Sequence, residues 1–202
     1  MRLLELFSGT GSVGNVAKKM GYDVISLDIS SKSATHRCDI LKWKYKMYPV
    51  GYFDVIWASP PCTEFSMAKT IGVRNIKYGT KLVKAAFHLI DFFKPKWYVV
   101  ENPQGLLRLQ PMMKKRTDRK TVSYCKYGFP YRKHTDLWTN SPFAPKKCEK
   151  GHECDFARKH HYHPQTVQTG SDKRKIVKCT PQLSTRYSIP APLIRSIFRS
   201  FI

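Results

Sequence analysis

The sequence has few acidic side chains: 14 Asp and Glu stand against 36 Lys and Arg among 202 residues, a formal net charge of +22. It also lacks any run near the ~18 consecutive apolar residues of a membrane-spanning helix, so no transmembrane segment and no membrane partner are predicted. Six cysteines are too sparse for a disulfide-stapled scaffold, which favours a reducing, intracellular compartment. Glu5 interrupts the first apolar run, so no secretory signal peptide is predicted.

Hydrophobic side chains are frequent enough to build a core, because they make up 42% of the chain, with aromatic residues at 13%. This composition argues against a wholly disordered basic protein, and the length suits one domain with at most a small appendage. The positive charge predicts a polyanionic partner, most often a nucleic acid held through its phosphates. Charge that serves only solubility is the alternative.

Short apolar runs alternate with stretches of helical periodicity over the first hundred residues. Continuous apolar strands between helices are typical of a parallel sheet covered on both faces, so an α/β fold is predicted. The predicted strands are 2–7, 22–27, a short one before Asp39, 53–58 and 97–100, and the predicted helices follow Gly11 and span 79–93.

The second half is predicted to add two strands, a lobe and a last helix. The strands are Val122–Tyr127 and Thr135–Thr139, forming a hairpin across Gly128–Pro130. Residues 140–183 have no clean period and carry nine Lys and Arg, four His and three Cys, which indicates a small irregular basic lobe. Pro190 then opens an amphipathic helix.

A glycine turn follows the first predicted strand at Phe7–Gly11. Glycines there let a ligand approach the backbone, and the start of the next helix favours an anionic group. Asp28, at the end of the second strand, can accept hydrogen bonds from ribose hydroxyls, and Asp39 ends the third. The pattern indicates an adenosine-containing cofactor, although the glycine spacing also fits a dinucleotide fingerprint or a plain strand-to-helix turn.

A proline–cysteine loop, Ser59–Cys62, follows the fourth predicted strand. The prolines stiffen the backbone and project the Cys62 thiol from the carboxyl edge of the sheet, where a thiolate can act as a nucleophile. A half-buried structural cysteine is the alternative. The basic stretch that follows, with Arg74 and Lys77, is predicted to close over a bound polyanion as a lid.

An acidic residue, Glu101, ends the fifth predicted strand, which is otherwise apolar. A carboxyl group there is costly unless it serves a purpose, and partial burial would raise its pKa towards that of a proton donor. Asn102, before Pro103, is predicted to be the structural residue of the pair, capping the turn.

Taken in order, these segments resemble the motifs of the cytosine-C5 DNA methyltransferase family. Leu6–Gly11 resembles its cofactor motif, Ser59–Cys62 its nucleophile motif and Glu101–Pro103 its Glu-Asn-Val motif. Two weaker likenesses are Tyr127–Pro130, which resembles the segment before the family's Gln-x-Arg-x-Arg motif, and Ile189–Leu193, which resembles the opening of its final helix.

The resemblance implies a Rossmann-like S-adenosylmethionine-dependent methyltransferase fold that acts on DNA, double-stranded and with the target cytosine flipped out of the helix. Cys62 would attack C6 of the base while Glu101 assists at N3, and C5 would then take the methyl group. The resemblance assigns cofactor contacts to Phe7, Ser8, Gly9, Thr10, Gly11, Asp28, Ile29, Asp39, Ile40 and Pro60, and the basic residues expected on nucleic acid are Arg74, Lys77, Arg132 and Lys133.

Two departures from the family's pattern bear on how the target base is recognised. Tyr131–Thr135 stands where the family has Gln-x-Arg-x-Arg, so Thr135 replaces the second arginine, which contacts the target base. A large target-recognition domain is replaced by a short segment. We therefore expect a minimal enzyme of phage or viral type with short or loose specificity, built as a core 1–139, a lobe 140–185 and a closing helix 186–202.

A cysteine and histidine cluster lies within that lobe. Cys148, Cys154 and His163 are candidate ligands of a structural zinc ion, with the fourth ligand unassigned. The spacing matches no standard zinc finger, so the alternative is a polar basic lobe that contacts DNA phosphates.

Three other functions also fit the sequence. A tRNA-methylating branch of the same family shares the Pro-Pro-Cys and Glu-Asn motifs, so RNA is an alternative substrate. Methyltransferases that modify N4 of cytosine or N6 of adenine continue Ser-Pro-Pro with an aromatic residue, where this chain has Cys62. A nucleic-acid-binding module that lost turnover is the third alternative.

The charge makes a testable prediction about salt. We expect DNA affinity to fall by ~10³-fold or more between about 50 and 200 mM salt, because six or more neutralised phosphates release their counterions. Anisotropy titrations with a labelled duplex measure this dependence, and an affinity that is flat with salt would contradict the charge argument.

Overall fold

The computed structural model describes residues 1–67, 69, 72–148, 154–160, 163, 185 and 187–201. Its strands, numbered along the chain, are β1 Arg2–Leu6, β2 Asp23–Asp28, β3 His36–Arg37, β4 Val55–Ala58, β5 Trp97–Pro103, β6 Arg119–Ser123 and β7 His134–Thr139. Its α-helices within those ranges are α1 Ser12–Lys19, α2 Ile76–Phe93, α3 Pro111–Lys114, α4 Asp155–His160 and α5 Ala191–Arg199. None of these helices is long and apolar enough to cross a membrane.

The strands form one seven-stranded sheet in the order β3-β2-β1-β4-β5-β7-β6. The first five run parallel, and β7 inserts antiparallel between β5 and β6. The strand order reverses between β1 and β4, and a crevice where ligands bind in such sheets lies outside the carboxyl ends of these two strands. The mostly parallel α/β sheet predicted from the sequence is confirmed.

Both faces of the sheet are covered, which explains why the parallel strands are continuously apolar. One face packs on α2 and the segment 40–53, with Leu4, Ile56 and Phe93 at its centre. The other face packs on α1 and α5, with Leu3 and Trp57 at its centre. Every residue of β4 is buried, because its side chains alternate between these two cores.

The last helix closes the second core beside α1. The amide of Ile189 donates to Ser12 Oγ at 3.3 Å, and Trp97 Nε1 donates to the carbonyl oxygen of Phe201 at 3.2 Å. The Trp97 and Phe201 rings stack with their centroids 5.5 Å apart. The segment after the lobe therefore returns to the start of α1 and to β5, next to the glycine turn.

The prediction of a strand over 122–127 is wrong beyond Ser123. Tyr124–Tyr127 form a 3-10 turn, ended by Gly128 with φ 91°. A strand would send alternate side chains to opposite faces, whereas the turn buries Tyr124 and Tyr127 in the core beside α1 and α5, and Cys125 in a separate cluster. The predicted hairpin around Gly128 is confirmed, since Ser123 of β6 pairs with His134 of β7.

Helix α2 begins three residues before its predicted start. The Asn75 side chain accepts a hydrogen bond from the amide of Tyr78 at 2.9 Å, which caps the first turn. Most of the predicted basic lobe, residues 149–153, 161–162 and 164–184, lies outside the described residues.

Candidate active site

A pocket of about 640 Å³ opens at the carboxyl ends of β1, β2, β4 and β5. Most residues that the sequence marks as functional line it, from the glycine turn to the proline–cysteine loop. They are Phe7, Ser8, Gly9, Thr10, Asp28, Ile29, Asp39, Ile40, Pro60, Cys62, Glu101 and Lys133. The other predicted contacts, Gly11, Arg74, Lys77 and Arg132, are outside this lining.

The glycine turn between β1 and α1 follows a tight left-handed path. Phe7, Gly9 and Gly11 have φ values of 60°, 47° and 68°, a region that L side chains with a Cβ rarely adopt. The amide of Gly11 donates to the Ser8 carbonyl at 2.7 Å, which closes the turn. The backbone at Gly9 therefore borders the pocket without a side chain.

Asp28 braces this turn against the end of β2. Its Oδ2 accepts from the amide of Gly9 at 2.9 Å, and its Oδ1 accepts from the amides of Ser30 and Ser31, each at 2.8 Å. Burial alone would raise the pKa of Asp28, but these hydrogen bonds outweigh it and hold the pKa below its ordinary value. Asp28 is therefore ionised at neutral pH, and Oδ2, which carries fewer bonds than Oδ1, is the oxygen best placed to accept from a ligand.

The next wall of the pocket is apolar. Asp39 accepts from the amide of Leu41 at 2.9 Å and so begins a short 3-10 turn, Ile40–Lys42, that buries Ile40. Ile29 lines the same pocket and is 65% exposed, which is unusual for a large aliphatic side chain. The two isoleucines offer a flat apolar surface, and the nearby carboxylates offer hydrogen-bond acceptors.

The loop that carries Cys62 is anchored to β5. Asn102 is fully buried, and its Nδ2 donates to the Pro60 carbonyl at 2.9 Å. The predicted capping role of Asn102 is wrong, because β5 continues through Pro103 and the side chain bonds to the neighbouring loop instead. The hydrogen bond fixes how far the Cys62 loop can move from the strand of Glu101.

A second anchor lies three residues beyond Cys62. The Phe65 side chain is fully buried, and its carbonyl accepts from the amide of Leu106 at 2.8 Å. A Cβ at Gly105 would collide with that carbonyl, and one at Gly79 would press on the Phe65 ring. Glycine is needed at both positions because the loop packs directly against backbone there.

Glu101 is buried at the base of the pocket. Tyr124 Oη donates to its Oε1 at 3.1 Å, and the Ser59 side chain also hydrogen-bonds to it. Burial raises the pKa of Glu101, and the charge of Lys133 opposes that shift only in part. The raised pKa predicted from the sequence is confirmed in direction.

Cys62 shares the electrostatics of that acid. Burial raises the pKa of its thiol, the positive charge of Lys133 lowers it, and the charge of Glu101 raises it further. Lys133 Nζ lies 4.7 Å from the centre of the Tyr124 ring. The charge of one lysine thus lowers the pKa of both Cys62 and Glu101.

The first two thirds of the chain match a known family of proteins. The family described as C-5 cytosine-specific DNA methylase matches over residues 1–129, which hold the glycine turn, the Cys62 loop and Glu101. The chain belongs to the C-5 cytosine-specific DNA methylase family. The resemblance found in the sequence motifs is confirmed.

Two curated relatives agree with this C-5 cytosine-specific DNA methylase membership. The "Probable DNA (cytosine-5)-methyltransferase" of Frog virus 3 (isolate Goorha) is 34% identical over 170 residues, 76% of this chain and 78% of that protein. The Type II methyltransferase M.HindV of Haemophilus influenzae is 25% identical over 120 residues, 52% of this chain and 38% of that protein.

A solved structure supports the fold. A DNA modification methyltransferase encoded within a prophage (E. coli) matches with a TM-score of 0.55 and 17% sequence identity, over 74% of this chain and 52% of that one. The chain therefore spans about half the length of that solved structure. The fold of this C-5 cytosine-specific DNA methylase is the predicted Rossmann-like methyltransferase fold.

In the segment of this C-5 cytosine-specific DNA methylase that resembles the Gln-x-Arg-x-Arg motif, Lys133 and Thr135 stand at the positions of the two arginines. Thr135 is fully buried in β7 and pairs with Pro103 of β5, so it presents no cation to the pocket. Lys133 stands at the other arginine position and lines the pocket.

The remaining basic residues differ in what they contact. Arg74 donates from its guanidinium to the carbonyls of Ser66 and Lys69, at 2.8 and 2.7 Å, so it holds the loop after Cys62 together. Lys77 and Arg132 are exposed. Their contacts with nucleic acid stay predictions.

The predicted metal ligands lie together, outside the lining of the pocket. Cys148, Cys154 and His163 cluster with Cys125, a residue that the sequence reasoning placed inside a strand. No signal in the sequence spacing links Cys125 to the other three, because it lies on the far side of the hairpin.

Two functional neighbours were missed by the sequence reasoning, Tyr124 and Glu5. Glu5 lies on β1, lines the pocket, and accepts from the amides of Val13 and Gly14 at the start of α1. Burial raises its pKa to about 7, and these amides lower it only in part. A charge inside an apolar strand, the same signal that marked Glu101, would have found Glu5.

Glu5 makes a prediction about stability and pH. Its folded-state pKa lies above the unfolded value, so its contribution is fully present below about pH 4.5 and is lost as pH rises through about 7. Between about pH 4.5 and pH 7, ionisation of Glu5 should lower the free energy of unfolding of the parent protein by up to ~3 kcal/mol. Glu5→Gln keeps an acceptor for the amides but does not ionise, so we expect this decrease to be absent in the variant.

Urea denaturation at pH 5 and pH 8 measures this difference. Asp23→Asn, at an exposed carboxylate that begins β2, is the matched control and should keep the pH dependence of the parent protein. Equal pH dependence in the parent protein and Glu5→Gln would contradict the assignment.

Proposed function

We propose that this chain transfers a methyl group from S-adenosylmethionine to C5 of cytosine in DNA, with Cys62 as the nucleophile. The observation that carries the proposal is the pocket itself. Cys62, Glu101 and the glycine turn come from three separate strand ends, and all three line one cavity. Family membership supports the same reaction.

The pocket residues fit the adenosine part of S-adenosylmethionine. Asp28 is ionised and presents Oδ2 towards hydroxyl donors, while exposed Ile29 and buried Ile40 provide the apolar wall for a purine ring. The glycine turn lets the rest of the cofactor lie against the backbone. When bound, the sulfonium group supplies the methyl group.

Cys62 starts the reaction at the base. Its thiolate forms a bond to C6, and the displaced electron pair makes C5 nucleophilic enough to accept the methyl group. Loss of the C5 proton then returns an electron pair that expels the Cys62 thiolate from C6. The 5-methylcytosine ring is restored and the thiolate is regenerated.

Glu101 stabilises the base during this attack. Burial raises the pKa of Glu101 and so favours its protonated form, which can donate a hydrogen bond to N3 as negative charge develops on the ring. Tyr124, which hydrogen-bonds to Oε1, fixes the orientation of the carboxyl group. Burial of the pair limits exchange of the proton with water.

Lys133 supplies the positive charge that Thr135 cannot. Its charge favours the Cys62 thiolate over the thiol, and because Lys133 lines the same pocket, we infer that its side chain binds the carbonyl oxygen at C2 of the cytosine. Lys133 therefore fills the role of the family's base-binding arginine.

The substrate is duplex DNA from which one cytosine is flipped into the pocket. A base within the stack cannot reach a thiol at the bottom of a pocket, and unstacking costs a few kcal/mol. Phosphate contacts by a chain of net charge +22 offset this cost. Parallel assays on RNA, with nucleoside mass spectrometry, separate this proposal from a tRNA-methylating enzyme.

Replacing the nucleophile tests the proposal. We expect Cys62→Ala to abolish methyl transfer while DNA affinity remains near that of the parent protein, because no phosphate contact is removed. Incubation with labelled methyl donor and duplex DNA measures transfer, and anisotropy measures binding. Substantial turnover by Cys62→Ala would refute the nucleophile assignment.

Lys133 makes a second prediction. We expect Lys133→Ala to lower kcat by about 100-fold, comparable to removing one charge-stabilising donor, while Lys133→Arg retains most activity. Because Lys133 lowers the pKa of Cys62, the rising limb of the pH–rate profile should move to higher pH in the alanine variant. An unchanged profile would show that Lys133 acts only on folding or binding.

A further inference from the structure

Three cysteines and one histidine converge at the edge of the sheet where β6 and the hairpin end. The ligand atoms of Cys125, Cys148, Cys154 and His163 lie within 4.8 Å of one another. His163 Nε2 is 3.2 Å from Cys154 Sγ and 3.9 Å from Cys148 Sγ. We propose that these four side chains bind one structural zinc ion.

The donor set suits zinc. Three thiolates and one imidazole are the ligands of closed, four-coordinate structural zinc sites. Zn–S bonds of ~2.3 Å in a tetrahedron place sulfur atoms about 3.8 Å apart, so the observed separations need little rearrangement. None of the three cysteines forms a disulfide, so all three sulfur atoms can act as metal ligands.

The three cysteine side chains of the proposed zinc site are buried together. Cys125, Cys148 and Cys154 are 4%, 0% and 1% exposed, and they form a buried cluster of their own. Three thiolates with Zn²⁺ carry one net negative charge, and Arg132 lies close enough to His163 to act on its charge. The basic surroundings thus offset the charge of the loaded site.

The four ligands join separate segments of the chain. Cys125 belongs to the 3-10 turn after β6, and the amide of Cys148 donates to Ser123 Oγ of β6 at 2.9 Å. Cys154 directly precedes α4, and the amide of Arg158 donates to its carbonyl at 2.9 Å. The ion would therefore tie α4 to the core, in a region too short for a core of its own.

The metal site adjoins the reactive pocket through one peptide bond. Cys125 follows Tyr124, whose hydroxyl donates to Glu101, and the amide of Tyr124 donates to the Lys133 carbonyl at 3.1 Å. Zinc would hold this turn in place from the outside. The four ligand atoms meet in this way whichever base the protein modifies.

Metal content tests the proposal directly. Protein purified under reducing conditions without chelator should contain one Zn²⁺ per chain by elemental mass spectrometry. Cys125→Ser should lower zinc affinity by more than ~100-fold, beyond the cost of losing an outer-shell partner. Cys38→Ser, at a free cysteine outside the cluster, is the matched control and should keep its zinc.

A second measurement decides the matter if Cys125→Ser fails to fold. Metal-free parent protein titrated with Co²⁺ should saturate at one equivalent with thiolate-to-metal charge-transfer absorption and the intense visible bands of tetrahedral cobalt. Folded parent protein that binds neither ion would overturn the proposal. A disulfide among the three cysteines in the freshly purified reduced protein, or full zinc retention by folded Cys125→Ser, would also overturn it.

Discussion

The hydrogen bond from Asn102 Nδ2 to the Pro60 carbonyl is the contact on which the reactive geometry depends. It joins the strand that carries Glu101 to the loop that carries Cys62. Both partners are buried, so breaking it would leave polar groups without replacement bonds from solvent. The parallel sheet brings the carboxyl ends of β4 and β5 side by side, and this hydrogen bond fixes the position of the Cys62 loop relative to β5.

Charge placement in the pocket follows from burial. The sheet withdraws Glu5, Glu101 and Cys62 from water, which raises the pKa of each, while hydrogen bonds keep Asp28 ionised. Burial thus favours the neutral forms of Glu101 and Cys62, whereas the charge of Lys133 favours their ionised forms. Burying these ionisable groups lowers the stability of the folded protein, and the two large apolar cores offset that loss.

Local sequence patterns predicted the parallel strands and the motif residues at their ends, because apolar runs and strand-end turns are local signals. Tertiary contacts decided the rest. Tyr124 meets Glu101 only because β6 and β7 fold back beside β5, and Cys125 meets Cys154 only across the hairpin. Asn102 looked like a cap because a loop carbonyl 42 residues away is invisible in a local pattern.

The central claim is that the Cys62 sulfur bonds to C6 of cytosine during methyl transfer. Duplex DNA with 5-fluorocytosine tests it most directly, because fluorine cannot leave C5 as a proton does, so the adduct persists after methylation. We predict a donor-dependent protein–DNA adduct whose peptide map places the bond on Cys62. Active protein that forms no adduct, or one joined through another residue, would contradict the account.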